Sequence, residues 1–159
     1  MSYQAVILTV SDSCAAGTRT DTSGPAIRAM LENAGFAVQA MQTVPDEEGQ
    51  ISAAIVHACD ILQADLVVTT GGTGLSPRDV TPEATLAVLD REIRAIPVAM
   101  WVEGLKSTPR AMLSRAVAGT RGHTLVLNVP GSEKAARENL GAVVATLDHA
   151  LRMLAGGGH

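Results

Sequence analysis

The residues best suited to handling phosphate are Gly71-Gly72-Thr73-Gly74, followed by Arg78 and Asp79. Glycines carry no Cβ, so their backbone N–H groups can approach an anion closely and adopt positive φ. Thr73 adds a hydroxyl, Arg78 a planar cation matched to phosphate oxygens, and Asp79 a carboxylate suited to a metal ion. A glycine-rich turn also serves simply as a tight strand-to-helix connection, so the chemistry rests on the combination. The segment is not a P-loop, because no Gly-Lys-Ser/Thr follows at the required spacing. Nor is it the GxGxxG dinucleotide fingerprint, since the loop after the first apolar run is Ser11-Asp12-Ser13.

Those residues need elements to position them. Ala5–Val10 and Leu66–Thr70 are short apolar, partly β-branched runs, as is Leu125–Val129, and each ends in turn or cap formers. Central strands buried on both faces have this pattern. Phe36–Val44 is extended in character and ends at Pro45-Asp46. Ser23-Gly24-Pro25 starts a helix that Gly35 closes. Ile51, Ala54, Ile55, Ala58, Cys59 and Leu62 mark an amphipathic helix. Thr81 is placed as the N-cap of a helix with Pro82 in its first turn, running to about Leu89. Residues 93–104 are read as a further helix and Pro109–Leu113 as a helical turn. Ser132 caps a last helix through Leu154.

Strands alternating with helices predict an α/β fold, a three-layer α/β/α sandwich with a mainly parallel central sheet. Ligands bind such sheets at the carboxyl ends of the strands. That rule selects Ser11–Thr22, Gly71–Thr81 and Pro130–Ser132 without reference to any motif.

Composition bounds the rest. The 159 residues, 47% hydrophobic, suffice for one core, read as a single domain over residues 1–155 with a flexible tail at 156–159. Tyr3, Phe36 and Trp101 are the only aromatics, so the core is aliphatic. A net charge of −4 argues against general nucleic-acid binding, which draws on Lys and Arg. Cys14 and Cys59 lack metal-type spacing, and two ordinary thiols are expected. The start of the chain does not read as a signal peptide, and no apolar run is long enough for a membrane span. A cytoplasmic location is expected. The four histidines form no pair with ligand spacing.

Gly71-Gly72-Thr73-Gly74-Leu75-Ser76-Pro77-Arg78-Asp79-Val80-Thr81-Pro82-Glu83 closely resembles the molybdopterin adenylyltransferases, that is, MogA-type proteins and the G domains of gephyrin and its plant counterpart. Thr9-Val10-Ser11-Asp12, Val44-Pro45-Asp46-Glu47, Thr108–Arg115 and Leu127–Gly131 match the same family in order and extend the resemblance over nearly the whole chain.

The resemblance implies transfer of AMP from ATP to the terminal phosphate of molybdopterin, with release of pyrophosphate and a requirement for Mg²⁺. It marks Asp46 and Asp79 as the catalytic and metal-holding pair, although Asp46 also suits a helix N-cap. It places Ser11, Asp12, Ser13, Gly71, Gly72, Thr73, Gly74, Pro130, Gly131 and Ser132 beside the nucleotide; Ser132 suits a purely capping role equally well. Arg78, Thr81, Ser114 and Arg115 are assigned to the pterin side; Lys106 and Arg110 are possible contributors that read more readily as solvated surface. Gly104 departs from a serine found in some relatives, which puts one pterin hydrogen bond in doubt. The family also implies a homotrimer, with residues 93–104 including Trp101 as a contact, and hand-over to a molybdenum-insertion protein. Two other readings remain open: a MoaB-like relative that binds without efficient turnover, and a scaffolding module like the gephyrin G domain.

Overall fold

Period-two alternation in three strands explains the architecture of the computed structural model, which describes residues 2–157. Successive side chains in a strand point to opposite faces. In β1 (Gln4–Val10), Ala5 and Ile7 join one core while Val6, Leu8 and Val10 join another. In β3 (Leu66–Thr70), Leu66 and Val68 likewise oppose Val67; in β6 (Thr124–Val129), Leu125, Leu127 and Val129 oppose Val126. Such strands are apolar on both faces and demand a helical layer on each side.

Those layers are present. A single helical turn, α1 (Asp12–Ala15), follows β1; on one face of the sheet α2 (Ser23–Asn33), α5 (Ala95–Leu105) and α6 (Glu133–Leu154) bring Ile27, Leu31, Met100, Leu140 and Leu147 against it. On the other, α3 (Glu48–Val56) and α4 (Thr81–Leu86) bring Ile51, Ile55 and Ala84. The sheet order is β2-β1-β3-β6-β5-β4, with β2 as Ala37–Val44, β5 as Ala118–Arg121 and β4 as Arg91–Glu92. The pairs β2–β1, β1–β3 and β3–β6 are parallel; β6–β5 and β5–β4 are antiparallel. The three-layer, mainly parallel α/β sandwich expected from sequence is therefore observed.

Some expectations need correction. β4 and β5 were not anticipated, because Arg-Glu and Ala-Gly-Thr-Arg carry no apolar β-branched run. Their pairing depends on Gly119, where a Cβ would stand 2.2 Å from the Arg91 carbonyl oxygen. The helix through Ile51 is α-helical only to Val56 and continues as a π-helical turn over His57–Ile61. Asp60 in that turn accepts from Nε and Nη2 of Arg121, at 3.1 and 2.8 Å. α4 stops at Leu86, short of the expected Leu89, and Val80, not Thr81, is its N-cap. The capping reading of Asp46 also falls, since Glu47 holds the N-cap position of α3, without a side-chain cap bond.

Gly35, at φ +94°, closes α2 as expected, and Ser132 caps α6 by accepting from the Ala135 N–H. The proposed tail at 156–159 lies outside the described residues at its last two positions. No described helix is long and apolar enough to cross a membrane.

Candidate active site

The carboxyl ends of β1, β3 and β6 open into one cavity of about 800 Å³. Ser11, Asp46, the whole Gly71–Gly74 turn, Asp79, Ser114, Pro130, Gly131 and Ser132 all line it. Close backbone approach builds its floor. The Gly71 N–H donates to the Val129 carbonyl at 3.1 Å, and the Thr70 hydroxyl donates to the Pro130 carbonyl at 2.7 Å. Gly71 and Gly72 take φ values of +102° and +69°, and a Cβ on Gly71 would lie 2.2 Å from the Val10 carbonyl oxygen. Glycine is required at both positions.

The aspartates divide their carboxylates in the same way. Asp46 Oδ2 accepts the Asp12 N–H at 2.9 Å, leaving Oδ1 close to Gly72, 3.1 Å from where a Cβ there would stand. Asp79 Oδ2 accepts the Ser76 N–H at 3.1 Å. Each residue thus keeps one oxygen uncommitted. Burial raises the Asp46 carboxyl above the ordinary aspartate value, and the nearby Asp12 and Asp79 charges push the same way, against the Asp12 N–H and Arg78, which lower it. A cation between the loops would relieve that repulsion. Among the described residues no cluster of three or more His, Cys, Asp or Glu side chains converges on one point. Two carboxylates, each with one uncommitted oxygen, are a donor set of the kind Mg²⁺ accepts, since it binds through one or two carboxylates and fills its shell with phosphate and water.

The two arginines face elsewhere. Arg78 pairs with Asp12 through two bonds of 3.0 Å and with Glu47 at 2.9 Å, about half exposed and off the cavity wall. Asp12 is consequently held below the usual carboxylate range by its hydrogen bonds with Arg78. Arg115 donates to the Gly74 and Asp79 carbonyls at 2.8 Å each and pairs with Glu83, while its own N–H reaches the Thr73 carbonyl at 2.8 Å. It stitches both limbs of the glycine loop. Thr81 is fully buried, its hydroxyl donating to the Gly71 carbonyl at 2.9 Å. Of the four residues assigned to the pterin, only Ser114 therefore lines the cavity. Asp12 and Ser13 also stand off the wall, Ser13 bonded to Ser11 at 3.1 Å.

Other wall residues were missed. Arg19, Asp21, Glu138 and Asn139 line the cavity, as does Arg110, a possible pterin contributor that read more readily as solvated. Asn139 left a signal: it falls between Ala136 and Val143 on the apolar stripe of α6 and is buried. Gly104 allows α5 to pack against the turn at Pro109–Leu113, since a Cβ there would stand 2.9 Å from the Ala111 Cβ. A serine at this position requires that turn to shift.

Known proteins resolve what this arrangement belongs to. A profile for the family described as "Probable molybdopterin binding domain" matches residues 6–149. The chain belongs to this molybdopterin-binding family. The chain is 41% identical to the gephyrin of Dictyostelium discoideum, over 93% of its own length and 22% of that protein. It is 37% identical to a molybdopterin adenylyltransferase of Helicobacter pylori, covering 94% of this chain and 86% of the relative. Among solved structures, the molybdopterin biosynthesis enzyme MoaB from Thermus thermophilus superposes with a TM-score of 0.92 at 49% identity, covering 97% of each chain. The chain spans about a fifth to a half of the length of three longer curated relatives, at 22%, 25% and 49%.

The thiols of this family member differ in setting. Cys14 lines the cavity, whereas Cys59 is buried and burial pushes its thiol up to about 11. Because the thiolate is the nucleophile, at about pH 8 only ~0.1% of Cys59 is reactive. The native chain is expected to take one equivalent of iodoacetamide, at Cys14, with Cys59 reacting after unfolding or at strongly alkaline pH. Peptide mass mapping checks this; equal labelling of both thiols in the folded chain would contradict the burial of Cys59.

Proposed function

We propose that the chain transfers AMP from ATP to the terminal phosphate of molybdopterin, in the synthesis of molybdenum cofactor. The carrying observation is the convergence of Asp46, Asp79 and the Gly71–Gly74 turn on one cavity wall. A phosphate oxygen of molybdopterin attacks the α-phosphorus of ATP, the bond to the β-phosphate bridge breaks, and pyrophosphate leaves. A phosphomonoester has a second pKa of about 6, so the nucleophile is already anionic near neutrality and needs little help from a base. The barrier is charge and alignment.

Backbone N–H groups of Gly72, Thr73 and Gly74, with those of Gly131 and Ser132, would face the nucleotide phosphates, with Ser11 beside them. Ser114, Arg110 and Asn139, which line the same cavity, would face the pterin. Asp46 Oδ1 and the second oxygen of Asp79 would hold Mg²⁺, which supplies charge neutralisation and orientation of the phosphates. Arg115 and Thr81 keep the turn in shape from behind. The names of the Helicobacter pylori and Thermus thermophilus relatives support this reading.

The functional form is a homotrimer acting in the cytoplasm and passing adenylylated molybdopterin to a molybdenum-insertion partner. Val98, Val102 and Leu105 on α5 are 48%, 58% and 45% exposed and repeat at helical spacing, an apolar stripe suited to a subunit contact. Fusion of the family's domain into larger relatives, such as the molybdenum cofactor biosynthesis bifunctional protein of Chlorobaculum tepidum, supports the hand-over.

The test is pyrophosphate release. Purified protein with ATP and Mg²⁺ is expected to release pyrophosphate only when molybdopterin is added. Tight molybdopterin binding without release would replace this reading with a binding protein lacking turnover.

A further inference from the structure

Arg78 sits 66 positions from Asp12 in sequence yet grips both of its carboxylate oxygens at 3.0 Å. Asp12 and Asp46 in turn exchange reciprocal bonds: the Asp12 N–H donates to Asp46 Oδ2, and the Asp46 N–H donates to Asp12 Oδ1, each at 2.9 Å. The second leg of Arg78, to Glu47, pins the residue next to Asp46. Three loops, after β1, β2 and β3, are therefore tied through one guanidinium, and the tie ends on the carboxylate whose free oxygen faces the glycine turn.

We propose that Arg78 is a positioning residue that sets the divalent-cation affinity of Asp46 and is not a ligand of either substrate's phosphate. The proposal rests on the cation reading of Asp46 and Asp79. Its Nε and Nη2 donors are engaged by Asp12 and Glu47, which fix the plane of the guanidinium, and it stands off the cavity wall. Without Arg78, Asp12 loses its counter-charge, the reciprocal pair loosens, and Asp46 Oδ2 is released from its fixed orientation.

Two effects of removing Arg78 oppose each other, which makes the proposal decidable. Deleting a positive charge near a cation site tightens cation binding by simple electrostatics, but at exposed pairs that gain is small. Loosening a carboxylate's supporting partner costs roughly 10-fold or more in metal affinity. Positioning therefore predicts weaker binding, whereas a bystander charge predicts the opposite.

The experiment measures Mn²⁺ binding by electron paramagnetic resonance with a non-hydrolysable ATP analogue present, alongside hydrogen exchange at the Asp12 and Asp46 amides without metal. Arg78→Ala is expected to speed both amides' exchange and to raise the Mn²⁺ dissociation constant roughly 10-fold. KM for molybdopterin should stay near the wild-type value. Asp12→Asn should do the same, and the double variant should be no worse than either single, because both act through one connection. Arg78→Lys, unable to span Asp12 and Glu47 together, is expected between the wild type and Arg78→Ala. Glu47→Gln, which leaves the Asp12 leg intact, serves as a milder break should Arg78→Ala fold poorly. Unchanged exchange, unchanged or tighter Mn²⁺ binding, or a selective rise in KM for molybdopterin would overturn the assignment. Failure of the underlying cation reading has a separate signature: Asp46→Asn then binds Mn²⁺ like the wild type, and the role of Arg78 falls with it.

Discussion

Asp79→Asn is expected to lower pyrophosphate release about 10³-fold, corresponding to ~4 kcal/mol of lost transition-state stabilisation. Only charge changes. The Ser76 N–H that Asp79 Oδ2 accepts can still be satisfied by the asparagine carbonyl, so the loop keeps its internal bond. The Arg115 bond to the Asp79 backbone carbonyl is also untouched. Thermal unfolding should therefore match the wild type while turnover collapses. Raising Mg²⁺ should recover part of the activity, because the remaining ligand, Asp46, keeps its free oxygen. Asp46→Asn is expected to lose activity to a similar degree, and the double variant to lose little more, since both hold one ion. Wild-type turnover in both single variants would remove the cation assignment while leaving the fold and the family as they stand.

Gly72→Ala is the second large effect, and it acts through shape. At φ +69°, any L side chain is strained by about 1–2 kcal/mol. The new Cβ would also stand 2.3 Å from the Thr81 hydroxyl and 3.1 Å from Asp46 Oδ1. Thr81 must swing away and surrender its buried bond to the Gly71 carbonyl, adding about 1 kcal/mol. A total loss near 2–3 kcal/mol in denaturant unfolding is expected. Turnover should fall about 10²-fold from misplaced reacting groups, beyond what the stability change explains. Gly49→Ala is the control: Gly49 lies in α3, has no neighbour within 4 Å of its Cβ position, and should be neutral or slightly stabilising. If Gly72→Ala behaved like Gly49→Ala, the glycine turn would not be as tightly enclosed as its geometry requires.

What could be read from the sequence follows a physical division. Ala5–Val10, Leu66–Thr70 and Leu125–Val129 announced themselves because a doubly covered strand must be apolar throughout. Gly71 and Gly72 were legible because backbone conformation is a local property. Asp79 stood out by its place after the glycines, whereas Asp46 was singled out through the family resemblance alone. β4 and β5 were not, since their pairing is decided by neighbours and by one missing Cβ at Gly119. The arginines were identified as relevant, but their partners were not. Whether Arg78 reaches a phosphate or Asp12 depends on how loops 66 positions apart are brought together. Thr81 was misplaced as a helix cap for the same reason: its acceptor, the Gly71 carbonyl, lies ten positions back across a turn.

The floor beneath Gly71 also has a bearing on how the protein comes into being. Its bond to the Val129 carbonyl, the Thr70 bond to Pro130, and the approach of Gly131, where a Cβ would stand 3.2 Å from the Gly71 Cα, all join parts of the chain about sixty residues apart. Contacts of such long sequence separation are slow to close, because loop entropy is lost before the contact is gained. On the ribosome, the phosphate-binding turn has been synthesised long before the strand that supports it. It cannot take its final shape until residues 129–131 have emerged and β6 has docked beside β3. Chains released short of that point would keep most of the glycine motif and none of its function.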